Sequence, residues 1–176
     1  MKARVSAKLR WLFVGGSFVV LLDQLAKRGK LASLGADPGV PIFTFWDERL
    51  SFIPTQSFTL VSGLLAGWPR PGQIVLVGFI AAGVAVLASA FYRGLAPGES
   101  MNAFALGLVV GGVVGNLADV FLHGGAVEVL GAAGVDPGLR FNFADGFIAL
   151  GLVILVVELL VAEGALRARL ARRWDD

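Results

Sequence analysis

The chain has 176 residues, of which 56% are hydrophobic and only 16% charged, against about 45–50% and 25% in ordinary soluble domains. With a mean hydropathy of +0.78, this composition excludes a disordered chain and points to a membrane protein rather than a soluble globule. Fifteen basic and thirteen acidic side chains leave a formal charge of +2, too balanced to suggest a nucleic-acid partner. Cysteine is absent and His123 is the single histidine. Disulfides, thiolate chemistry and multi-histidine metal sites are therefore excluded, and neither metal nor cofactor is expected.

A membrane-crossing helix needs about 20 mainly apolar residues, and four stretches qualify in chain order. The first runs from Trp11 to about Ala26 and carries Asp23 and Gln24 in its last turn. Lys2, Arg4, Lys8 and Arg10 ahead of this apolar run also resemble a secretory leader. A cleaved leader has no use for Asp23, Gln24 and Lys27 at its end, so an uncleaved first helix is the reading adopted. Next come two β-prone runs, Ile42–Trp46 and Leu50–Ile53, separated by Asp47-Glu48-Arg49 as in a hairpin. Leu60–Trp68 reads equally well as a short interfacial helix or a loose apolar loop. The second span is Gln73–Phe91, without a charge. The third is Met101 to about Leu122, with Gly107, Gly111 and Gly115 at the four-residue spacing that lets helices approach closely. The fourth is about Phe141 to Ala162.

The expected architecture is an all-α membrane protein, one domain over residues 1–176, with four transmembrane helices and a small extracytoplasmic β-hairpin. Basic residues set the orientation. Four precede the first span, Arg167, Arg169, Arg172 and Arg173 follow the fourth, and Arg93 lies between the second and third. Both termini then sit in the cytoplasm, and residues of about 27–72 and 123–140 lie on the other side.

Ionisable groups inside spans are costly and are functional candidates by default. The candidates are Asp23, Lys27, Asn116, Asp119, Glu128, Asn142, Asp145 and Glu158. All but Glu158 fall at the outer ends of spans one, three and four or in the loop joining three to four, so they can converge on one pocket. Asp23 and Lys27 lie four apart with the acid first, the better order for a helical ion pair; the bland alternative is a pair at the membrane surface. Asn116 and Asp119 lie three apart on one face. Asn116 reads alternatively as bonding neighbouring backbone, and Asp119 as tying down the loop that follows it. Glu128 and Asp145 hold the most chemistry. Two carboxyls in one partly desolvated site do not both ionise easily, so one takes a proton from water while the other donates one. That division of labour is an aspartic peptidase's, and it needs no metal, thiol or histidine.

Asp23-Gln24-Leu25-Ala26-Lys27 resembles the D-Q-x-x-K motif of the lipoprotein signal peptidase (signal peptidase II) family. Gly115-Asn116-Leu117-Ala118-Asp119 resembles its G-N-x-x-D, and Phe141-Asn142-Phe143-Ala144-Asp145 its F-N-x-A-D. Three motifs in order on the expected spans identify the chain as a divergent member. The resemblance implies a bacterial inner-membrane aspartic endopeptidase that removes signal peptides from lipid-modified prolipoproteins using two aspartates. It assigns Asp145 to the second of these, Asn142 and Asn116 to the site around it, and Asp23 and Lys27 to its support. The family pattern continues G-N-x-x-D-R-x-x-x-G-x-V-x-D-F. Here Gly124 keeps the register, Val120 replaces the arginine, and the first catalytic aspartate falls at Glu128. Thr55 takes the asparagine position of the family's N-x-G-A-A-F stretch.

Glutamate keeps the charge but displaces the carboxylate by roughly 1–1.5 Å, where catalytic groups need placing within about 0.5 Å. Unless the backbone compensates, the rate falls by a large factor. Losing the arginine removes a rigid multi-donor side chain. Two functions follow: a membrane aspartic endopeptidase with a Glu128/Asp145 pair, its substrate altered or its activity reduced, or a non-catalytic relative serving as partner or subunit of a membrane complex. The partners expected are the bilayer and a prolipoprotein or, in the second reading, other membrane subunits. Glu158 favours the second reading. It lies about 20 Å further along the fourth helix than Asp145 and on another face, where it meets water, another chain or a local base such as Arg167.

Overall fold

The computed structural model describes residues 6–32, 43–45, 50–56, 68–123, 127–132 and 139–174. In chain order the elements are α1 (Ala7–Ala32), β1 (Phe43–Phe45), β2 (Leu50–Gln56), α2 (Arg70–Gly94), α3 (Ser100–His123), β3 (Val127–Ala132), β4 (Leu139–Phe141) and α4 (Phe143–Trp174). All four helices are long and apolar enough to cross a membrane, through Ala7–Gly29, Pro71–Gly94, Ser100–Leu122 and Phe143–Ala165. The four expected spans are all present, each longer than its apolar run. Pro71 opens α2 in the first turn, where its missing amide costs nothing. The helix α4 starts at Phe143 rather than Phe141, because Phe141 pairs in β4 and Asn142 caps the helix.

The centre of the bundle is α3, packed between α1 and α4, with α2 at the edge. Glycine makes this possible. A Cβ on Gly111 would stand 2.5 Å from the carbonyl oxygen of Gly16, so α1 and α3 meet backbone to backbone. Gly107 makes the same kind of approach to Leu12 and Gly16, as the spacing predicts. On the other side of α3, Gly151 of α4 lies against the Ala105 carbonyl. Water gives helices no reason to associate inside a bilayer, so close packing of this kind holds them together. The outward residues are large and apolar, Phe79, Val75 and Leu87 among them. Away from the sheet, Lys8 of α1 donates to the Tyr92 and Leu95 carbonyls at 3.2 and 2.9 Å and sits over the Tyr92 ring, binding α1 to the end of α2.

The strands form one antiparallel sheet in the order β1-β2-β3-β4. The expected hairpin is there as β1 and β2, with Phe43 opposite Phe52 and Phe45 opposite Leu50. The sheet exceeds it, because the segment after α3 supplies two further strands and Glu128 stands on β3 rather than in a loop. A two-stranded hairpin is marginal alone, and β3 completes the open edge of β2. Phe52 pairs with Leu130 and Thr55 with Glu128, so β2 has one residue more than β3 between these pairs. The bulge falls between Phe52 and Thr55, a stretch that includes Pro54, which has no amide for the ladder. The proposed Leu60–Trp68 helix and the Asp47–Arg49 turn lie outside the described residues, Trp68 excepted.

Candidate functional site

The C-terminal ends of α1 and α3, the N-terminus of α4 and the start of β3 meet at the sheet end of the bundle. Each of the first turns of α4 needs partners for its free amides. The Asn142 side-chain oxygen accepts from Asp145 N at 2.9 Å, and an Asp145 oxygen accepts from Asn142 N at 3.1 Å. This reciprocal capping arrangement fixes Asp145 in the first turn of α4, where the helix dipole favours a negative charge. The other Asp145 oxygen accepts from Asn116 Nδ2 at 2.8 Å, and Asn142 Nδ2 donates to Asn116 Oδ1 at 2.9 Å. Asn116 therefore bonds side chains of α4 and not the neighbouring backbone of its own helix. Asp145 is exposed and Asn142 buried, so the carboxylate sits at the surface on a hydrogen-bonded mount.

Behind it lies a second cluster with almost no exposure: Asp23 and Asp119 at 0% and Lys27 at 1%. The Lys27 ammonium lies 2.5 Å from Asp23 Oδ2 and 2.7 Å from Asp119 Oδ2. The pairing of Asp23 with Lys27 was expected, but not at the membrane surface: α3 covers both and adds a second acid. Two carboxylates and one ammonium leave an uncompensated negative charge, which backbone and amide donors meet. Asp23 Oδ1 accepts from Ala144 N at 3.0 Å, at the positive end of α4. Asp119 Oδ2 accepts from Val127 N at 3.1 Å, and its other oxygen from Gln24 Nε2 at 3.2 Å. Asp119 does tie down the segment after its helix, as read from the sequence, while also facing Lys27. Gly115 leaves room for this arrangement, since a Cβ there would stand 3.0 Å from Asp23 Oδ2.

Six of the candidates thus join in two linked groups, Asp145, Asn116 and Asn142 on one side and Asp23, Lys27 and Asp119 on the other. Glu128 is buried on β3, next to Val127 and in register with Thr55. Gln24 was not a candidate, and its place inside the D-Q-x-x-K run was the available signal. Glu158 is not part of this site. Arg167, its suggested partner, pairs with Glu163 at 2.5 Å instead, one helical turn away and exposed. Among the described residues Glu158 makes no hydrogen bond or ion pair.

Such a bundle, with four membrane-length helices and one end assembled from carboxylates and their donors, defines a multi-pass membrane protein with a polar end. Residues 17–161 match the family model described as signal peptidase (SPase) II, and the chain belongs to that family. It is similar to the lipoprotein signal peptidase of Cellvibrio japonicus (strain Ueda107), 30% identical over 155 residues that cover 86% of this chain and 87% of the relative. The lipoprotein signal peptidase of Teredinibacter turnerae (strain ATCC 39867 / T7901) is 32% identical over 160 residues, 90% of this chain and 92% of the relative. The fold is that of a bacterial membrane enzyme solved by the in meso method at 2.3 Å resolution, with a TM-score of 0.68, 20% identity and coverage of 85% and 87%. The chain is a multi-pass bacterial membrane protein of a peptidase family.

Proposed function

We propose that the chain is a working aspartic endopeptidase that removes signal peptides from lipid-modified prolipoproteins, with Glu128 and Asp145 as its carboxyl pair. The observation that carries this reading is the mounting of Asp145. Its two oxygens accept from Asn142 N and Asn116 Nδ2 while the residue stays exposed, an arrangement suited to a carboxylate that takes a proton from a water molecule. Glu128, buried on the neighbouring strand, is assigned the shared proton. The activated water attacks the scissile carbonyl carbon, and Glu128 donates to the carbonyl oxygen as the tetrahedral intermediate forms. Asp145 then gives its proton to the leaving amine as the C–N bond breaks, while Glu128 takes a proton back from a hydroxyl of the intermediate, which leaves the carboxylic acid product and restores both groups.

Glu128, with the longer arm, stands on β3. Its register partner Thr55 follows the bulge in β2, and bulges re-aim nearby side chains. Thr55 is assigned to the site beside Glu128, and Val120 stands where the family pattern has arginine. In the reading adopted here both termini are cytoplasmic and the sheet end faces outward in a bacterial inner membrane. The first turn of α4 then lies at the level where a lipid-anchored precursor leaves the bilayer, and residues 1–176 act as one domain.

The test is processing of a prolipoprotein in cells lacking their own signal peptidase II. The wild-type chain restores processing and Asp145→Asn abolishes it. A wild-type chain that inserts in the membrane yet never processes the precursor overturns the proposal.

A further inference from the structure

The buried cluster meets the catalytic pair at two equivalent points. Asp119 holds the backbone amide of Val127, the residue before Glu128, at 3.1 Å, and Asp23 holds the amide of Ala144, the residue before Asp145, at 3.0 Å. Both carboxylates share the ammonium of Lys27. A continuous path therefore runs from Glu128 through Val127 N, Asp119, Lys27, Asp23 and Ala144 N to Asp145. The four elements on this path come from distant parts of the chain. Asn116 of α3 also holds Asp145, but Lys27 is what joins the two anchoring carboxylates to each other.

We infer that Lys27 is a positioning residue that sets the spacing of Glu128 and Asp145, by holding the two carboxylates that anchor their backbones. Without the ammonium, two acids face each other in a buried site and do not both stay ionised, so one takes up a proton and the charged hold on the two amides is lost. Catalytic carboxyls need placing within about 0.5 Å, and a misplacement of about 1 Å costs about a hundredfold in rate. Lys27 touches neither member of the pair, so its loss acts on turnover and leaves substrate affinity intact. This inference rests on the peptidase reading for its kinetic consequence, but not for the coupling itself.

The experiment uses the full chain in lipid nanodiscs, with hydrogen exchange at Val127 and Ala144 and cleavage kinetics on a prolipoprotein. A hydrogen bond to a charged group protects an amide by about tenfold or more. Asp119→Asn is expected to speed exchange at Val127 alone, and Asp23→Asn at Ala144 alone. Lys27→Met speeds exchange at both, and lowers kcat about a hundredfold with KM unchanged; Lys27→Arg recovers part of each. Where Lys27→Met does not fold, Lys27→Gln keeps a neutral donor beside both aspartates and is held to the same two outcomes. A folded variant without the ammonium that keeps either amide protected, or keeps the wild-type kcat, overturns the inference. A wild-type chain that cleaves nothing overturns the peptidase reading instead, and the exchange result still decides the role of Lys27.

Discussion

The helices α2 and α3 are nearly equal in length, and the more hydrophobic of the two is the one whose apolar window stays unburied. The apolar window of α2 has a mean hydropathy of 2.6 and none of it is buried within the protein; that of α3 has 1.9 and half of it is buried. Hydropathy measures affinity for lipid, and lipid competes with protein for an apolar face on equal terms. Burial is decided instead by whether backbones can approach and whether polar groups need partners. Gly111 meets the backbone of Gly16, whereas Gly78 and Gly83 of α2 face open space. Asp119 and Asn116 give α3 bonds to α1, β3 and α4. The counterpart on α2 is the contact of Lys8 with its end.

The contrast can be broken most severely at the polar end of α3. Asp119→Leu leaves Lys27 facing Asp23 alone and Val127 N without its acceptor, and is expected to cost about 3–5 kcal/mol, as for one partner lost from a buried pair. The measurement is thermal unfolding of the purified protein in detergent. At the glycine crossing, Gly111→Leu forces a side chain into the Gly16 backbone and should cost about 3 kcal/mol, near the top of the range for overpacking. Gly78→Leu, on the lipid face of α2, should leave the unfolding temperature unchanged. Equal losses in the two variants would mean that α2 packs as tightly as α3. The smallest loss expected is that of Lys8→Met, which removes donors to two carbonyls at the end of α2 and should cost about 1 kcal/mol, again by thermal unfolding.

Four spans and the β1–β2 hairpin were legible in the sequence because each depends on local pattern: about 20 apolar residues in a row, or β-prone runs around a polar turn. The β3 strand was missed for a physical reason. Val127–Ala132 is short, contains Gly131, and becomes a strand by completing the edge of β2, which lies more than seventy residues earlier. The alternation of Val127 and Val129 around Glu128 was the signal available. The site divides in the same way. The i,i+4 spacing exposed the Asp23–Lys27 pair, but the second acid on Lys27 comes from α3, and the glycine contact that brings α3 within reach is tertiary. Likewise Asn142 and Asp145 are three apart, which marks a helix start, whereas the hydrogen bond from Asn116 across twenty-nine positions follows from packing. Glu158 shows the opposite error. Arg167 was near enough in sequence to suggest a partner, yet Glu163 lies at the favoured spacing of four and takes it.

The central claim is that Glu128 and Asp145 act as a pair despite the glutamate, and cleavage of a prolipoprotein by purified Glu128→Gln tests it most directly. Glutamine preserves size and polarity but cannot carry the proton, so the account predicts a fall of about 10²–10⁴-fold in kcat, the range of acid–base contributions. Glu128→Asp, assayed beside it, should match or exceed the wild type because it restores the family's shorter arm. A Glu128→Gln enzyme that cleaves as fast as the wild type would contradict the account.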